Sequence, residues 1–156
     1  MIIELPKSED TEALGAALWM ALPQKCLLFL QGDLGAGKTS LVRGMLRAAG
    51  YTRAVKSPTF SLVEEYQIGS RWVFHFDLYR LKDPEELEWI GLMDYLQREA
   101  ICCIEWPQMG AGYLPPATIE LTLGYQETGR IAQITTVNDE LKNSVVINWK
   151  NKDLLL

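Results

Sequence analysis

Lys38 and Thr39 end the segment Gly32-Asp33-Leu34-Gly35-Ala36-Gly37-Lys38-Thr39, which fits the spacing G-x-x-x-x-G-K-[ST]. Glycine at three of these positions lets the backbone turn tightly and aim N–H groups at an anion with no Cβ in the way. Lys38 brings an ammonium for β- and γ-phosphate oxygens, and Thr39 a hydroxyl for Mg²⁺. Ser40 follows in the first turn of a helix-like run whose positive N-terminal end faces the same charge. Residues 32 to 40 therefore predict a P-loop that holds a nucleoside phosphate.

Such a loop binds phosphates; hydrolysis or transfer also needs an acid for the metal and a group that positions the attacking oxygen. Two acids stand where these groups belong. Glu105 follows the apolar run Ile101-Cys102-Cys103-Ile104, the Walker B position with Glu where Asp is commoner. Asp77 ends a second run, Trp72-Val73-Phe74-His75-Phe76-Asp77. Carboxyl ends of strands in open α/β sheets face the ligand crevice, so both acids are predicted to point at the phosphates. Either can hold the metal or a metal-bound water, and the sequence does not divide those roles between them.

Strand alternation puts His75 and Asp77 on one face, with Phe74 and Phe76 on the other. His75 is the only histidine, and a lone strand histidine is more commonly a hydrogen-bonded structural residue than a catalyst. Arg80 suits either neutralisation of transition-state charge or a surface ion pair. In Ser57-Pro58-Thr59-Phe60 two hydroxyls flank a fixed proline, which suits a switch loop near the γ-phosphate and equally a plain turn before a strand.

The elements around these residues follow from pattern. Leu27-Leu28-Phe29-Leu30 reads as a buried strand, and Leu41 to Ala49 as the helix after the loop, closing at Gly50. Ser8 is the expected N-cap of a first helix that Leu22-Pro23 ends. Phe60 to Tyr66 and Trp72 to Asp77 predict a hairpin turning at Gly69-Ser70. Asp83 and Pro84 open a helix as cap and first residue, and Gly91 to Leu96 holds a second short one. Ala100 to Ile104 predicts a central parallel strand buried on both faces. Thr118 to Leu123 and Arg130 to Val137 alternate as antiparallel strands. Met1 to Pro6 and the tail from Val145 receive no element. The expected class is α/β: a three-layer P-loop sandwich with a mixed, mostly parallel sheet and antiparallel C-terminal strands.

A chain of 156 residues suits one domain, and its 48 % hydrophobic and 22 % charged content is ordinary for a globular protein. A net charge of −5 argues against a broad electrostatic footprint for nucleic acid or an anionic membrane. The N-terminus lacks the pattern of a signal peptide, and no apolar run approaches the ~20 residues that span a bilayer. Cys26, Cys102 and Cys103 lack metal-ligand spacing and read as reduced core thiols, as in a cytoplasmic protein.

Taken in order and spacing, Gly32 to Thr39, Ser57-Pro58-Thr59-Phe60, His75-Phe76-Asp77-Leu78-Tyr79-Arg80 and Glu105-Trp106 closely resemble the TsaE (YjeE) family of ATPases. Thr11, Gly91 with Asp94-Tyr95, and Gly129-Arg130 are similar to that family too. The resemblance covers about residues 5 to 135 and leaves the tail unassigned. It implies an ATP-binding and hydrolysing subunit, feeble alone, that supports N6-threonylcarbamoyladenosine formation at position 37 of tRNA. A TsaB–TsaD heterodimer would perform the transfer, with tRNA met only indirectly and no membrane partner. By the same likeness Lys38 and Thr39 serve the phosphates and Mg²⁺, and Glu105 is the metal-site acid. Asp77 lies near metal and water, Thr59 belongs to the first switch, and Thr11 and Arg130 lie beside the nucleotide. Trp106 either packs by the site or fills the core.

Three other readings share the loop. A small-molecule kinase carries an arginine-rich lid, whereas only Arg80 and Arg98 lie between Asp77 and Glu105. A GTPase reads guanine with Asn-Lys-x-Asp, and Asn151-Lys152-Asp153 has the wrong spacing. A non-catalytic, nucleotide-dependent binding module would need neither Asp77 nor Glu105 for its work.

Overall fold

The computed structural model describes residues 1–155. The apolar run before the loop is β2 (Cys26–Gln31), and α2 (Lys38–Ala48) starts at the lysine itself, with Gly37 at φ 111 as its N-cap. Only glycine takes that left-handed geometry at little cost, so the turn from strand to helix depends on it. β4 (Arg71–Asp77) and β5 (Ala100–Glu105) supply the two acids at their carboxyl ends. The remaining strands are β1 (Ile2–Leu5), β3 (Val63–Ile68), β6 (Ile119–Tyr125) and β7 (Arg130–Thr135). They form one sheet of order β1-β7-β6-β2-β5-β4-β3.

The three inner junctions, β6–β2, β2–β5 and β5–β4, are parallel, and the three outer ones antiparallel. This is the expected mixed α/β sheet with a parallel centre. Every residue of β5 is buried, as its unbroken apolar run predicts. Two cores result. Leu28, Leu30, Ile101 and Cys103 pack under α1 (Ser8–Ala21) and α2, while Leu27, Phe74, Phe76 and Ile104 pack on the other face. There α3 (Glu86–Trp89) contributes Leu87 and α4 (Leu92–Gln97) contributes Leu92. His75 and Asp77 thus face the α2 side, as alternation predicts.

Several boundaries differ from expectation. Lys7, not Ser8, caps α1: its backbone is extended, and the Asp10 carboxylate reaches back to accept its N–H at 2.9 Å. Phe60 to Leu62 are a turn, since Leu62 takes φ 71 and donates its N–H to the Pro58 carbonyl at 2.8 Å. Glu85 precedes the four residues of α3, although Asp83 still accepts the Glu85 N–H at 2.9 Å. β1 is an edge strand that buries only Ile3 and Leu5, a pattern too short to read. The tail forms α5 (Asp139–Lys150), capped by Asn138 and packed on α1 through Leu141 and Val145. Packing overrode the strand propensity of Val145-Val146-Ile147 there.

All three thiols are free and buried. Burial pushes Cys26 up to about 11, Cys102 up to about 12, and raises Cys103 well above the ordinary thiol range. Since the thiolate is the reactive form, none should react with a thiol reagent at pH 8 faster than the protein unfolds. Stoichiometric labelling of the native protein by mass spectrometry would contradict this. Among the described residues no helix is long and apolar enough to cross a membrane.

Candidate nucleotide site

The parallel register of β4 and β5 sets Asp77 directly beside Glu105. Both are buried, at 3 % and 4 % exposure. Two buried like charges at neighbouring strand ends repel, so the pair stands there only if a cation or donors offset it. The donors are visible. Asp77 accepts the Tyr79 N–H on Oδ1 at 3.0 Å and the Thr59 hydroxyl on Oδ2 at 3.0 Å. Glu105 Oε1 lies 2.8 Å from His75 Nε2. His75 is wholly buried and its Nδ1 meets no partner, which fits a neutral ring donating from Nε2. His75 is therefore the hydrogen-bonded residue of the two alternatives, and what it bonds is the second acid.

Lys38 faces these acids across a cavity of about 220 Å³, which Gly35, Gly37, Thr39, Ser57, Thr59 and both carboxylates line among others. The Lys38 ammonium bonds the Gly32 carbonyl and lies 3.3 Å from that of Asp33. Its Nζ also sits 4.8 Å from the Trp106 ring centroid. Trp106 stands beside the site, its ring tilted 48° to that of Tyr79 at 4.9 Å between centroids, and holds φ 55. Among the described residues, the two non-glycine residues with positive φ, Leu62 and Trp106, both flank the acids: the Leu62 carbonyl accepts the Asp77 N–H at 3.0 Å, and Trp106 follows Glu105. Strained backbone of this kind persists where surrounding structure fixes a site.

Thr59 bonds Ser57 Oγ at 2.8 Å as well as Asp77, so the turn that begins at Ser57–Thr59 is tied to the first acid. Arg80 is exposed, and its guanidinium lies 4.4 Å from the Phe60 ring centroid. A second cavity of about 160 Å³ shares Gly35, Gly37 and Ser40 with the first and is walled by Thr11, Gly129 and Arg130. Thr11 is buried, and its Cγ2 would stand 3.2 Å from a Cβ at Gly37. Asp33 and Leu34 are exposed on the loop. Tyr125, which sequence reasoning passed over, donates its hydroxyl to the Leu34 carbonyl at 3.1 Å from the far side of the loop. A larger concavity, about 740 Å³, lies at the other end of β4, and no motif residue lines it.

The donor set fits a hard divalent ion that brings its own companions. Among the described residues no cluster of three or more His, Cys, Asp or Glu side chains stands ready to hold a metal alone. One hydroxyl and two carboxylates on a phosphate-sized cavity are what Mg²⁺ uses, completing its shell with waters and phosphate oxygens.

Residues 5–134 match the family described as threonylcarbamoyl adenosine biosynthesis protein TsaE. The chain is 48 % identical over 119 residues to the tRNA threonylcarbamoyladenosine biosynthesis protein TsaE of Haemophilus influenzae, covering 76 % of this chain and 75 % of that one. It is 35 % identical to the Bacillus subtilis protein of that name, covering 74 % and 72 %. The crystal structure of Bacillus subtilis YdiB superposes with a TM-score of 0.77 over 98 % of this chain and 95 % of that one, at 24 % identity.

Proposed function

Because the chain belongs to the TsaE family, we propose that it is the Mg²⁺-dependent ATPase subunit that supports formation of threonylcarbamoyladenosine in tRNA. A TsaB–TsaD complex carries out the transfer, in the cytoplasm, and tRNA meets this chain only through that complex. The observation that carries the reading is the buried, register-matched pair Asp77 and Glu105 facing Lys38 and Thr39 across one cavity.

The triphosphate lies on the N–H groups of residues 33 to 39 and at the start of α2, with Lys38 leaving the loop carbonyls to bond its oxygens. Thr39, Asp77 and Glu105 would hold the magnesium, which when bound would neutralise the phosphates and the two acids. Thr59, tied to Asp77, registers whether the outer phosphate is present. The nucleoside extends into the second cavity, past Thr11. Glu105 has one oxygen fixed by His75, which keeps the carboxylate aimed while the other serves the metal or the attacking water.

The test is ATP hydrolysis by the purified chain and its Glu105→Gln variant, each alone and with the purified TsaB–TsaD pair. The parent should turn over slowly alone and at least about tenfold faster with the pair, and Glu105→Gln should lose roughly 100-fold of the stimulated rate. ATP affinity of the variant should change far less. Fast turnover by the isolated chain overturns the reading. Full support of tRNA modification by Glu105→Gln would favour a nucleotide-dependent binding module instead.

A further inference from the structure

Every carbonyl of the loop from Gly32 to Ala36 accepts a hydrogen bond. Lys38 serves Gly32 and Asp33, and the Ala36 N–H also reaches the Asp33 carbonyl at 3.0 Å. The other three are held by the β6–β7 hairpin. Tyr125 Oη donates to Leu34 O at 3.1 Å, Arg130 Nε to Ala36 O at 3.2 Å, and Arg130 Nη2 to Gly35 O at 3.5 Å. Tyr125 and Arg130 are cross-strand partners, and the guanidinium lies 4.2 Å from the tyrosine ring centroid. Arg130 Nη1 donates to the Gly129 carbonyl at 3.2 Å, so the side chain is fixed along its length.

A trans peptide plane points its C=O and its N–H in opposite directions. Holding the Leu34 and Ala36 carbonyls toward the hairpin therefore turns the Gly35 and Gly37 N–H groups away from it, and both glycines line the cavity between the loop and the acids. Glycine-rich planes flip at little steric cost, and a flipped plane would present a carbonyl to the phosphate. We propose that Tyr125 and Arg130 form a positioning clamp for the phosphate cradle, acting through the loop carbonyls rather than by touching the nucleotide. The clamp rests on the nucleotide-site reading above. It lowers the ordering that ligand binding would otherwise require.

Tyr125→Phe removes one hydroxyl and no charge, and Arg130→Met removes the donors at the loop. Affinity for ATP and for inorganic tripolyphosphate, each with Mg²⁺, is measured by calorimetry, and hydrogen exchange of residues 34–37 is followed without ligand. Tyr125→Phe should weaken both ligands by the same factor, about fivefold, and Arg130→Met by about 30-fold, with faster exchange of the loop amides in both. Loss for ATP with tripolyphosphate unaffected would put Arg130 on the nucleoside and overturn the clamp. An unchanged Tyr125→Phe beside a weakened Arg130→Met would mean direct attraction of the phosphates by the guanidinium, and overturns it as well. Parent protein that takes up neither ligand rejects the nucleotide reading and the clamp with it, whereas parental affinity and exchange in both variants reject the clamp alone.

Discussion

Replacing Lys38 by alanine will lower the affinity for ATP roughly 100-fold or more. The side chain is 6 % exposed and bonds the carbonyls of Gly32 and Asp33, so it is already committed to the loop's concave side. Each charge-assisted bond that its ammonium transfers to a phosphate oxygen is worth about 1.5–3 kcal/mol, and two lost bonds amount to about 3 kcal/mol or more. That difference corresponds to more than about two decades in dissociation constant. Loss of the ammonium also leaves the Gly32 carbonyl without its donor and the Trp106 ring without its cation, whereas the Asp33 carbonyl keeps the Ala36 N–H. Lys38→Met separates these effects, because it keeps an apolar stem of similar length. Both variants should show the same loss of binding in calorimetry, while the methionine variant melts closer to the parent. ATP bound at parental affinity by either would remove the P-loop assignment.

What was legible in the chain was whatever short-range pattern fixes. The run Leu27 to Leu30, the glycine spacing and the helix after them lie within a dozen or so residues; the strand and loop are where they were expected, and α2 begins three residues before Leu41, at Lys38. Asp77 and Glu105 were legible because a strand-end position follows from an apolar run alone; their adjacency is a property of the β4–β5 register. The His75–Glu105 bond joins residues 30 apart, and the Tyr125 bond to Leu34 spans 91. No local signal encodes either. Phe60 to Leu62 read as strand because Phe, Leu and Val favour one, yet the Leu62 carbonyl is taken by the Asp77 N–H and the backbone turns at φ 71 to deliver it. The demands of the site outweighed propensity at that point. The cap of α1 shifted for a smaller reason: an acid at Asp10 can satisfy the Lys7 N–H as well as a serine could satisfy the helix.

Gly44→Ala should destabilise the protein by about 3 kcal/mol, although alanine in a helix interior ordinarily gains about 1 kcal/mol over glycine. A Cβ at Gly44 would stand 2.0 Å from the Glu12 carbonyl oxygen and 2.6 Å from its Cα. Facing it, a Cβ at Gly15 would stand 2.1 Å from the Leu41 carbonyl oxygen and 2.8 Å from the Met45 N. These obstacles are backbone, with no rotamer to yield, so α1 and α2 can admit a methyl only by separating. Separation unpacks Leu14, Leu18, Leu41 and Met45, all fully buried between the helices and the sheet. In a domain of this size the melting temperature should fall by roughly 6–12 °C. The site should feel it too, because α1 carries Thr11 against Gly37 at the mouth of the loop. The double variant Gly15→Ala/Gly44→Ala should cost clearly less than the sum of the singles, since one methyl already opens the crossing for the other. A melting temperature raised by Gly44→Ala, as at an ordinary exposed helix glycine, would show that the two helices do not cross at this distance.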